Sequence, residues 1–346
     1  MTAFANIPMK SVGPIKLCGP EVQGEITAPL ATYETPLWPS VKRGAKVSML
    51  TDGINAFITD ERMTRSIVLE AKNGTEALNA IAQLKTKHDE FKTAVETSSR
   101  FAKLIDVHYK QIANLIYIRF EYTTGDAAGH NMVTLASEHI QQWILKKFSE
   151  LKYVSISGNM CIDKKASSIN AIRGRGKSVI AEIKIPRDLC KKLLRATPES
   201  IVELNIKKNL LGSNLAGSIH SANAHYANML LAFYLATGQD AANIVEGSQG
   251  ITYATVADDH LYFSVNLPNI IVGTIGNGKE LNFVQKNLEM LGCMQDAPAG
   301  QNARRLAIIC GATVLCGELS LLAAQTNEGE LMRGHVGIER KARTKA

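Results

Sequence analysis

The fold is decided by residues 103–148, which read KLIDVHYKQIANLIYIRFEYTTGDAAGHNMVTLASEHIQQWILKKF. Lys103–His108 and Leu115–Tyr122 alternate apolar and polar side chains, a pattern that predicts two half-buried strands. Asn131–Phe148 instead places its apolar residues three and four positions apart, which predicts an amphipathic helix. These elements predict a strand hairpin followed by a helix that packs on it.

The same kind of pattern continues on both sides of this stretch. Ser66–Ala71 is a short apolar strand candidate, Thr75–Ser98 has helical spacing, and Lys152–Ser157 is typical of a strand. The resulting order β-α-β-β-α-β is the ferredoxin-like arrangement. We therefore expect an autonomous inserted domain at residues 66–157.

A compact unit in the middle of a chain implies that the segments on either side of it fold together. We expect residues 1–65 and 158–346 to form a large mixed α/β domain, so that the fold class is α+β with an inserted domain. Its expected elements are the strands Ser178–Ile185 and Leu261–Ile271, the helices Asn223–Ala236 and Gln301–Ala324, and a glycine-rich turn at Gly273–Gly278.

The composition of the 346-residue chain excludes several classes of protein. Hydrophobic residues make up 45% and charged residues 21%, which is typical of a globular protein and not of a disordered one. The net charge of +7 suits an anionic ligand, but the only dense basic run is the tail Arg340–Lys345, which favours a solvated end over nucleic-acid binding. The apolar stretch Leu306–Ala324 contains Gly317 and Glu318 and predicts a buried helix, not a membrane span.

The cysteines and the first residues bear on the cellular compartment. The six cysteines show no CxxC pair and no metal-ligand spacing, so we expect reduced thiols and no metal site. The first residues lack the basic and apolar regions of a signal peptide. Both features favour a cytoplasmic protein.

A glycine-rich turn lies between the second strand of the hairpin and the helix. Gly125-Asp126-Ala127-Ala128-Gly129 precedes a helix that begins near Asn131, and this order aims free backbone N–H groups at an anion such as phosphate. The alternative is that both glycines only turn the chain while Asp126 caps the helix. Ser99 and Arg100 supply a hydroxyl and a cation that suit a ribose phosphate, unless they belong to a solvated face.

Two further segments carry ionisable side chains in unusual positions. In Cys161-Ile162-Asp163-Lys164-Lys165, two lysines adjoin an aspartate between two strands, and a paired lysine stabilises negative charge on a carbonyl oxygen. His335 follows Gly334 after the last core helix and suits a proton donor that swings into a site. Taken alone, the first segment is better explained by an exposed turn and the second by a solvated tail.

Several motifs occur in a fixed order along the chain. They are Ser157–Lys165 (SGNMCIDKK), Arg173–Val179 (RGRGKSV), Lys208–Ser213 (KNLLGS), Asn223–His225 (NAH), Gly238–Ala242 (GQDAA), Gly317–Leu321 (GELSL) and Gly334–His335. Together they resemble the catalytic domain of the 3-hydroxy-3-methylglutaryl-coenzyme A (HMG-CoA) reductases, specifically the class I branch. The resemblance runs from Ile7 to His335, and we expect no membrane anchor.

The resemblance implies four catalytic residues. Glu34 would supply a proton to the substrate carbonyl oxygen, and Lys164 would stabilise the developing oxyanion. Asp240 would hold Lys164 charged and, lying close to Glu34, raise the pKa of that glutamate. His335 would protonate the departing coenzyme A thiolate, since collapse of a reduced thioester expels a thiolate that benefits from an acid.

The resemblance also implies three sets of binding residues. The hydroxymethylglutaryl end of the substrate would be held by Arg65, Ser157, Asp163, Lys165, Lys208, His225 and Asn228, and coenzyme A by Ser40 and Arg43. The cofactor site, centred on the inserted domain, would comprise Ser99, Arg100, Asp126, Gly129, Asn131, Met132, Gly276 and Gly278. In this branch of the family the cofactor is NADPH.

The implied reaction consumes two NADPH and converts HMG-CoA to mevalonate and coenzyme A through a mevaldyl-CoA hemithioacetal and mevaldehyde, a step of isoprenoid biosynthesis. The active site would lie between subunits of a homodimer or homotetramer. Ala128 and His130 stand where the family usually has methionines, which leaves NADH as an alternative cofactor. A ligand-binding paralogue without turnover is a second alternative.

Overall fold

The computed structural model describes residues 5–343, without the side chains of His335 and of residues 338–343. The strands are β1 (Met9–Cys18), β2 (Gln23–Ala31), β3 (Asn55–Glu70), β4 (Lys103–Ile112), β5 (Leu115–Thr123), β6 (Lys152–Ser155), β7 (Gly176–Pro186), β8 (Ser221–Ala222), β9 (Gly250–Ala257) and β10 (His260–Ile270). The helices are α1 (Leu37–Met49), α2 (Gly74–Leu84), α3 (His88–Glu96), α4 (His130–Lys147), α5 (Ser168–Arg173), α6 (Arg187–Leu189), α7 (Pro198–Leu204), α8 (Ser213–Leu215), α9 (Tyr226–Ala236), α10 (Ile244–Gly247), α11 (Asn282–Met290), α12 (Gln301–Gln325) and α13 (Glu330–Arg343). Cys190–Leu194 and Asn205–Gly212 are π-helical, and Ala241–Asn243 is a 3-10 turn.

One eight-stranded sheet runs through both parts of the molecule. Its order is β4-β5-β3-β7-β10-β9-β8, with β6 on the other side of β3, and all pairs except β8–β9 are antiparallel. The first half of β3 pairs with β7 and its second half with β5, so this strand belongs to both halves. The order β4-β5-β3-β6 is that of a ferredoxin-like sheet, and the predicted α+β fold class is confirmed.

Two separate groups of apolar side chains form the cores. The larger is built around α12, which packs on α1 and β7 and is buried over most of its length. By length and composition α12 is the one helix among the described residues that could cross a membrane, but 94% of its most apolar window is buried inside the protein, as predicted. The smaller core draws on residues 63–151 together with Ile271. The predicted domain boundaries remain a prediction.

Several predicted elements differ from the structure. The single helix predicted at Thr75–Ser98 is two helices, α2 and α3, because no apolar residue occurs between Leu84 and Phe91 to hold the intervening turn against the core. The strand predicted at Ser66–Ala71 begins at Asn55, since the charged residues in its first half pair with charges on neighbouring strands, as Glu61 does with Lys177. Finally, α9 begins at Tyr226 and not at Asn223.

Candidate active site

Lys164 lies in a strained loop between β6 and α5. Asn159, Ile162 and Lys164 all have positive φ angles, of 54°, 45° and 55°, in the left-handed region that costs a non-glycine residue free energy. A Cβ on Gly158 would come within 2.7 Å of a Val68 methyl carbon, so the loop also packs tightly on β3. Such a conformation persists only where the surroundings fix it. The loop therefore presents Lys164 in one defined position.

The Lys164 ammonium is paired with Asp240. Its Nζ lies 2.7 Å from Asp240 Oδ2, while Asp240 Oδ1 accepts a hydrogen bond from the Ala242 N–H at 3.1 Å. The hydrogen bond to Asp240 raises the pKa of Lys164 against the opposing effect of burial. Burial raises the pKa of Asp240, but the hydrogen bonds from Lys164 and Ala242 outweigh it and the net pKa is lowered. Both groups are therefore held in their charged forms.

A buried network of charged side chains lies next to the Lys164–Asp240 pair. Glu246, fully buried, accepts hydrogen bonds at 3.0 Å from the Lys164 N–H and from Arg175 Nη1. Burial raises the pKa of Glu246, and the arginine opposes this rise. The same guanidinium places Nη2 2.8 Å from Asp163 Oδ1. Arg175 thus links Glu246 to the predicted substrate ligand Asp163.

Three loops meet beside the Lys164–Asp240 pair and form the predicted cofactor site. Gln239, next to Asp240, accepts a hydrogen bond from the Gly273 N–H at 2.9 Å, which ties it to the turn that contains Gly276 and Gly278. That turn contacts the one before α4 through a bridge between Ala127 and Ile275 and a 2.8 Å hydrogen bond from the Thr274 N–H to the Asp126 carbonyl. The glycine turns and the Lys164–Asp240 pair are therefore one cluster.

The N-terminus of α4 is left open to a ligand. Gly129 caps it with a φ of 94°, and no described side chain accepts a hydrogen bond from its first N–H groups. The structure contradicts the alternative that Asp126 caps α4, because the two Asp126 carboxylate oxygens accept from the Gly300 and Ala303 N–H groups at 2.8 and 2.9 Å and so cap α12. Asp126 therefore braces the turn by joining it to the N-terminus of α12.

The remaining predicted cofactor residues surround this helix end. Asn131 is exposed on the first turn of α4, and Met132 packs partly on the small core. Lys103, at the start of β4, pairs with Thr123, at the end of β5. This pairing places the Ser99–Arg100 loop, which precedes β4, beside the glycine-rich turn that follows β5. Ser99 Oγ already accepts from the Phe101 and Ala102 N–H groups, and the Arg100 guanidinium lies 4.8 Å from the Phe101 ring centroid.

A cavity of about 570 Å³ contains a second group of predicted residues. Most of its lining residues come from the segment after β2, from α1, α9, α12 and α13, and from the ends of these helices. They include Glu34, Ser40, Arg43, His225 and Asn228. Arg195 and Arg333 also line it and were not predicted. Three arginines around one cavity suit an anionic ligand such as a phosphate.

Ser40 and Arg43, the predicted coenzyme A contacts, are held by residues of the chain itself. Ser40 Oγ lies 3.0 Å from Ser320 Oγ, and Arg43 donates from Nε to the same oxygen at 2.9 Å. Arg43 Nη1 donates to Glu330 Oε1 at 2.9 Å, which fastens the first residue of α13 across the cavity. A phosphate that bound Arg43 would therefore compete with Glu330.

His225 is positioned by a buried glutamate of the central helix. Glu318, fully buried in α12, accepts from the Ala224 and His225 N–H groups at 2.6 and 3.1 Å and from Thr252 Oγ1 at 2.8 Å. His225 Nε2 is buried and lacks a hydrogen-bond partner among the described residues. Burial lowers the pKa of Lys208, and the negative charge of Glu318 opposes this lowering. Lys208 therefore lies near Glu318, the residue that positions His225.

Glu34 and Asp240 make no direct contact within one described chain. Among residues 5–343, no hydrogen bond or ion pair joins Glu34 to Asp240 or Lys164, and the cavity that Glu34 lines includes neither of them. The backbone of His335 is helical in α13, and the neighbouring Gly334 lines the cavity, but the His335 side chain lies outside the described atoms. The predicted site residues of one chain thus lie in two separate groups.

Three predicted substrate residues make hydrogen bonds close to the Lys164 loop. Arg65 Nε donates to the Ile156 carbonyl at 3.1 Å, Ser157 N–H donates to Ser155 Oγ at 3.0 Å, and Lys165 Nζ donates to the Asp163 carbonyl at 3.1 Å. All three adjoin the Lys164 loop.

The sequence analysis missed Arg119 and Glu121, which are fully buried on the second face of β5. Arg119 donates from Nε to Glu121 Oε1 at 2.9 Å and from its Nη atoms to the carbonyls of Met160 and Gly174 at 3.0 Å. It therefore braces the Lys164 loop. Charged residues at every second position of an apolar strand were the available signal. Glu121 lies near Asp106 and His108 in a cluster that could bind a metal, but two arginines already pair with it, which favours an ion network.

Comparison with known proteins identifies the family. Residues 1–340 match the family described as hydroxymethylglutaryl-coenzyme A reductase. The chain is 42% identical over 327 residues to the 3-hydroxy-3-methylglutaryl-coenzyme A reductase of Pyrococcus horikoshii, an alignment that covers 94% of this chain and 79% of the relative. It is also 42% identical over 342 residues to that of Methanocaldococcus jannaschii, covering 97% and 82%.

A solved structure shares the fold. The class II 3-hydroxy-3-methylglutaryl-CoA reductase from Streptococcus pneumoniae, bound to NADPH in open conformations, superposes with a TM-score of 0.74 at 19% identity over 95% of this chain and 78% of that one. The family match and the 42% identity extend over nearly the whole chain. This chain belongs to the hydroxymethylglutaryl-coenzyme A reductase family.

Proposed function

We propose that this chain reduces HMG-CoA to mevalonate and coenzyme A, with two NADPH per turnover. The observation that carries the proposal is the 2.7 Å Lys164–Asp240 ion pair beside the open N-terminus of α4. Reduction of a thioester builds negative charge on the carbonyl oxygen, and a cation fixed in place before the reaction stabilises that charge without reorganisation. Lys164 is such a cation because Asp240 and its strained loop both fix it.

The residues beside this pair fit a dinucleotide cofactor. The first N–H groups of α4 have no side-chain cap, and a Cβ on Gly129 would come within 2.6 Å of Thr124 Cγ2. Gly276 has a φ of 100° and open space where a side chain would stand. We expect the α4 N-terminus to bind the phosphates of the cofactor. The Gly276–Gly278 turn should leave room for the remainder of the cofactor. NADPH, when bound, supplies the hydride.

We further propose that the complete site forms between two copies of the chain. Lys164, Asp240, Asp163 and the glycine turns would come from one copy, and Glu34, His225 and the arginine-lined cavity from the other. The separation of these groups within one chain supports this arrangement. Glu34 would then protonate the substrate oxygen opposite Lys164, and α13 would bring His335 to the leaving thiolate.

The class I branch and a cytoplasmic location complete the proposal. The class I branch is proposed on the motifs that resemble it, while the archaeal relatives at 42% identity show the family and not the branch. All six cysteines are free, which supports a reducing compartment.

The test follows the loss of cofactor absorbance when purified protein meets HMG-CoA, in parallel with NADPH and NADH. We expect two NADPH to be oxidised for each mevalonate formed. Turnover with NADH alone would overturn the cofactor assignment and keep the reaction. No turnover with either cofactor, from folded protein, would overturn the proposed activity and leave a ligand-binding paralogue.

A further inference from the structure

His130 lies between the Lys164 loop and the glycine-rich turn Gly125–Gly129, which is proposed to bind the cofactor. It is the first residue of α4, directly after the left-handed Gly129. Its Nε2 lies 3.6 Å from Asp163 Oδ1, and both atoms are buried without a hydrogen-bond partner among the described residues. Arg175 Nη2 is 2.8 Å from the same oxygen, as an ion pair without hydrogen-bond alignment. Asp163 Oδ1 therefore accepts no hydrogen bond from any described residue.

Burial and the charges around His130 keep its ring neutral. Burial is the largest cause; together with Arg175 and Lys164, and only partly offset by the carboxylates of Asp163 and Asp240, it lowers the pKa of His130 to about 4. A neutral imidazole carries one N–H and one acceptor nitrogen. Beside a carboxylate, the tautomer with hydrogen on Nε2 is favoured because it donates to that carboxylate.

We propose that His130 is a positioning residue for the substrate: its Nε2–H binds Asp163 and holds this carboxylate toward the hydroxymethylglutaryl group. The inference rests on the proposed function, which makes Asp163 a substrate ligand. The separation must shorten by roughly 0.5 Å to reach hydrogen-bond distance. The pairing joins the helix that would bind the cofactor to the loop that would bind the substrate.

The competing role for His130 is a direct contact with a cofactor phosphate. A phosphate favours a cationic imidazole, which burial and two nearby cations oppose. The ring nitrogen also faces Asp163, an anion that would repel a phosphate at that position. The structure therefore favours the substrate side of the site over the cofactor phosphates.

The experiment compares His130→Met, which has no N–H, with His130→Gln, which retains a donor. His139→Gln is the matched control, since His139 lies on the same helix but contacts Thr97 Oγ1 at 3.1 Å. Calorimetry with the full chain and HMG-CoA alone gives the Kd, and steady-state kinetics give KM and kcat. We expect His130→Met to raise the Kd and KM for HMG-CoA about tenfold, because a hydrogen bond to a charged group contributes roughly that factor. The kcat and the KM for NADPH should change by less than about threefold.

Partial recovery of HMG-CoA binding in His130→Gln, with no change in His139→Gln, would support the inference. An unchanged Kd for HMG-CoA in His130→Met, or an effect confined to the KM for NADPH, would overturn it. If wild-type protein binds HMG-CoA without turnover, the proposed activity fails while the Kd comparison still decides the role of His130. If wild-type protein does not bind HMG-CoA, both the activity and this inference are overturned.

Discussion

Replacing Lys164 with alanine should abolish most of the activity and leave the fold almost unchanged. The ammonium lies 2.7 Å from Asp240 and is the cation proposed to stabilise the oxyanion. Removing one preorganised oxyanion donor typically lowers kcat by about 10²–10³, which corresponds to roughly 2.7–4 kcal/mol. We therefore expect a loss of at least that size in kcat.

The effect on stability should be much smaller. The side chains of Lys164 and Asp240 are 38% and 44% exposed, so solvent screens their attraction. Ion pairs of this kind contribute about 1 kcal/mol or less. In a chain of this length that amounts to a shift in Tm of no more than about 2 °C.

The assay combines NADPH oxidation with thermal unfolding, and Lys207→Ala serves as the control. Lys207 also pairs with a carboxylate, Glu203, but on the surface outside the proposed site. The control should retain wild-type kcat. The reasoning is refuted if Lys164→Ala keeps more than about a tenth of wild-type kcat. It is also refuted if activity is lost only in proportion to a large fall in Tm.

Four further substitutions test other parts of the account. Asp240→Asn removes the hydrogen bond that raises the pKa of Lys164, so the alkaline limb of the kcat–pH profile should move to lower pH. In the wild-type protein, the small contribution of this pair to stability is present below the ordinary lysine pKa and is lost as pH rises through the raised pKa of Lys164. On the acid side the contribution is lost as pH falls through the lowered pKa of Asp240. Glu318→Gln should lower the free energy of unfolding by about 2 kcal/mol, measured in urea, and raise the KM for HMG-CoA, because a buried acceptor of three hydrogen bonds loses its charge. Gly129→Ala should raise the Kd for NADPH measured by calorimetry, since the new Cβ meets Thr124 Cγ2 and strains the α4 N-terminus. Arg119→Lys should lower kcat more than it raises either KM, because lysine cannot hold the carbonyls of Met160 and Gly174 together.

The fold was predictable where one apolar face repeats with one period. The residues at Leu115–Tyr122 and Asn131–Phe148 have such faces, and the observed β5 and α4 differ from the predicted bounds by one residue at most at each end. The first half of β3 was missed because its charged residues are paired across the sheet, which hides the strand pattern. Pairing of that kind depends on the neighbouring strands and is not visible in the segment itself.

The candidate site was predictable only in part for a similar reason. Residue types and motif order led to Lys164 and Asp240, and the structure places their side chains in contact. That the Asp126 carboxylate caps α12 was not predicted, because no local pattern reveals a partner more than 170 positions away.

The most direct test of the account mixes two inactive variants, Lys164→Ala and Glu34→Gln, in one oligomer by co-expression. If each site takes Lys164 from one copy and Glu34 from the other, randomly mixed dimers contain one intact site in half of the molecules, and NADPH oxidation should recover to about a quarter of the wild-type rate. Activity that remains at the level of the separate variants, in oligomers shown to contain both chains, would contradict a site shared between subunits.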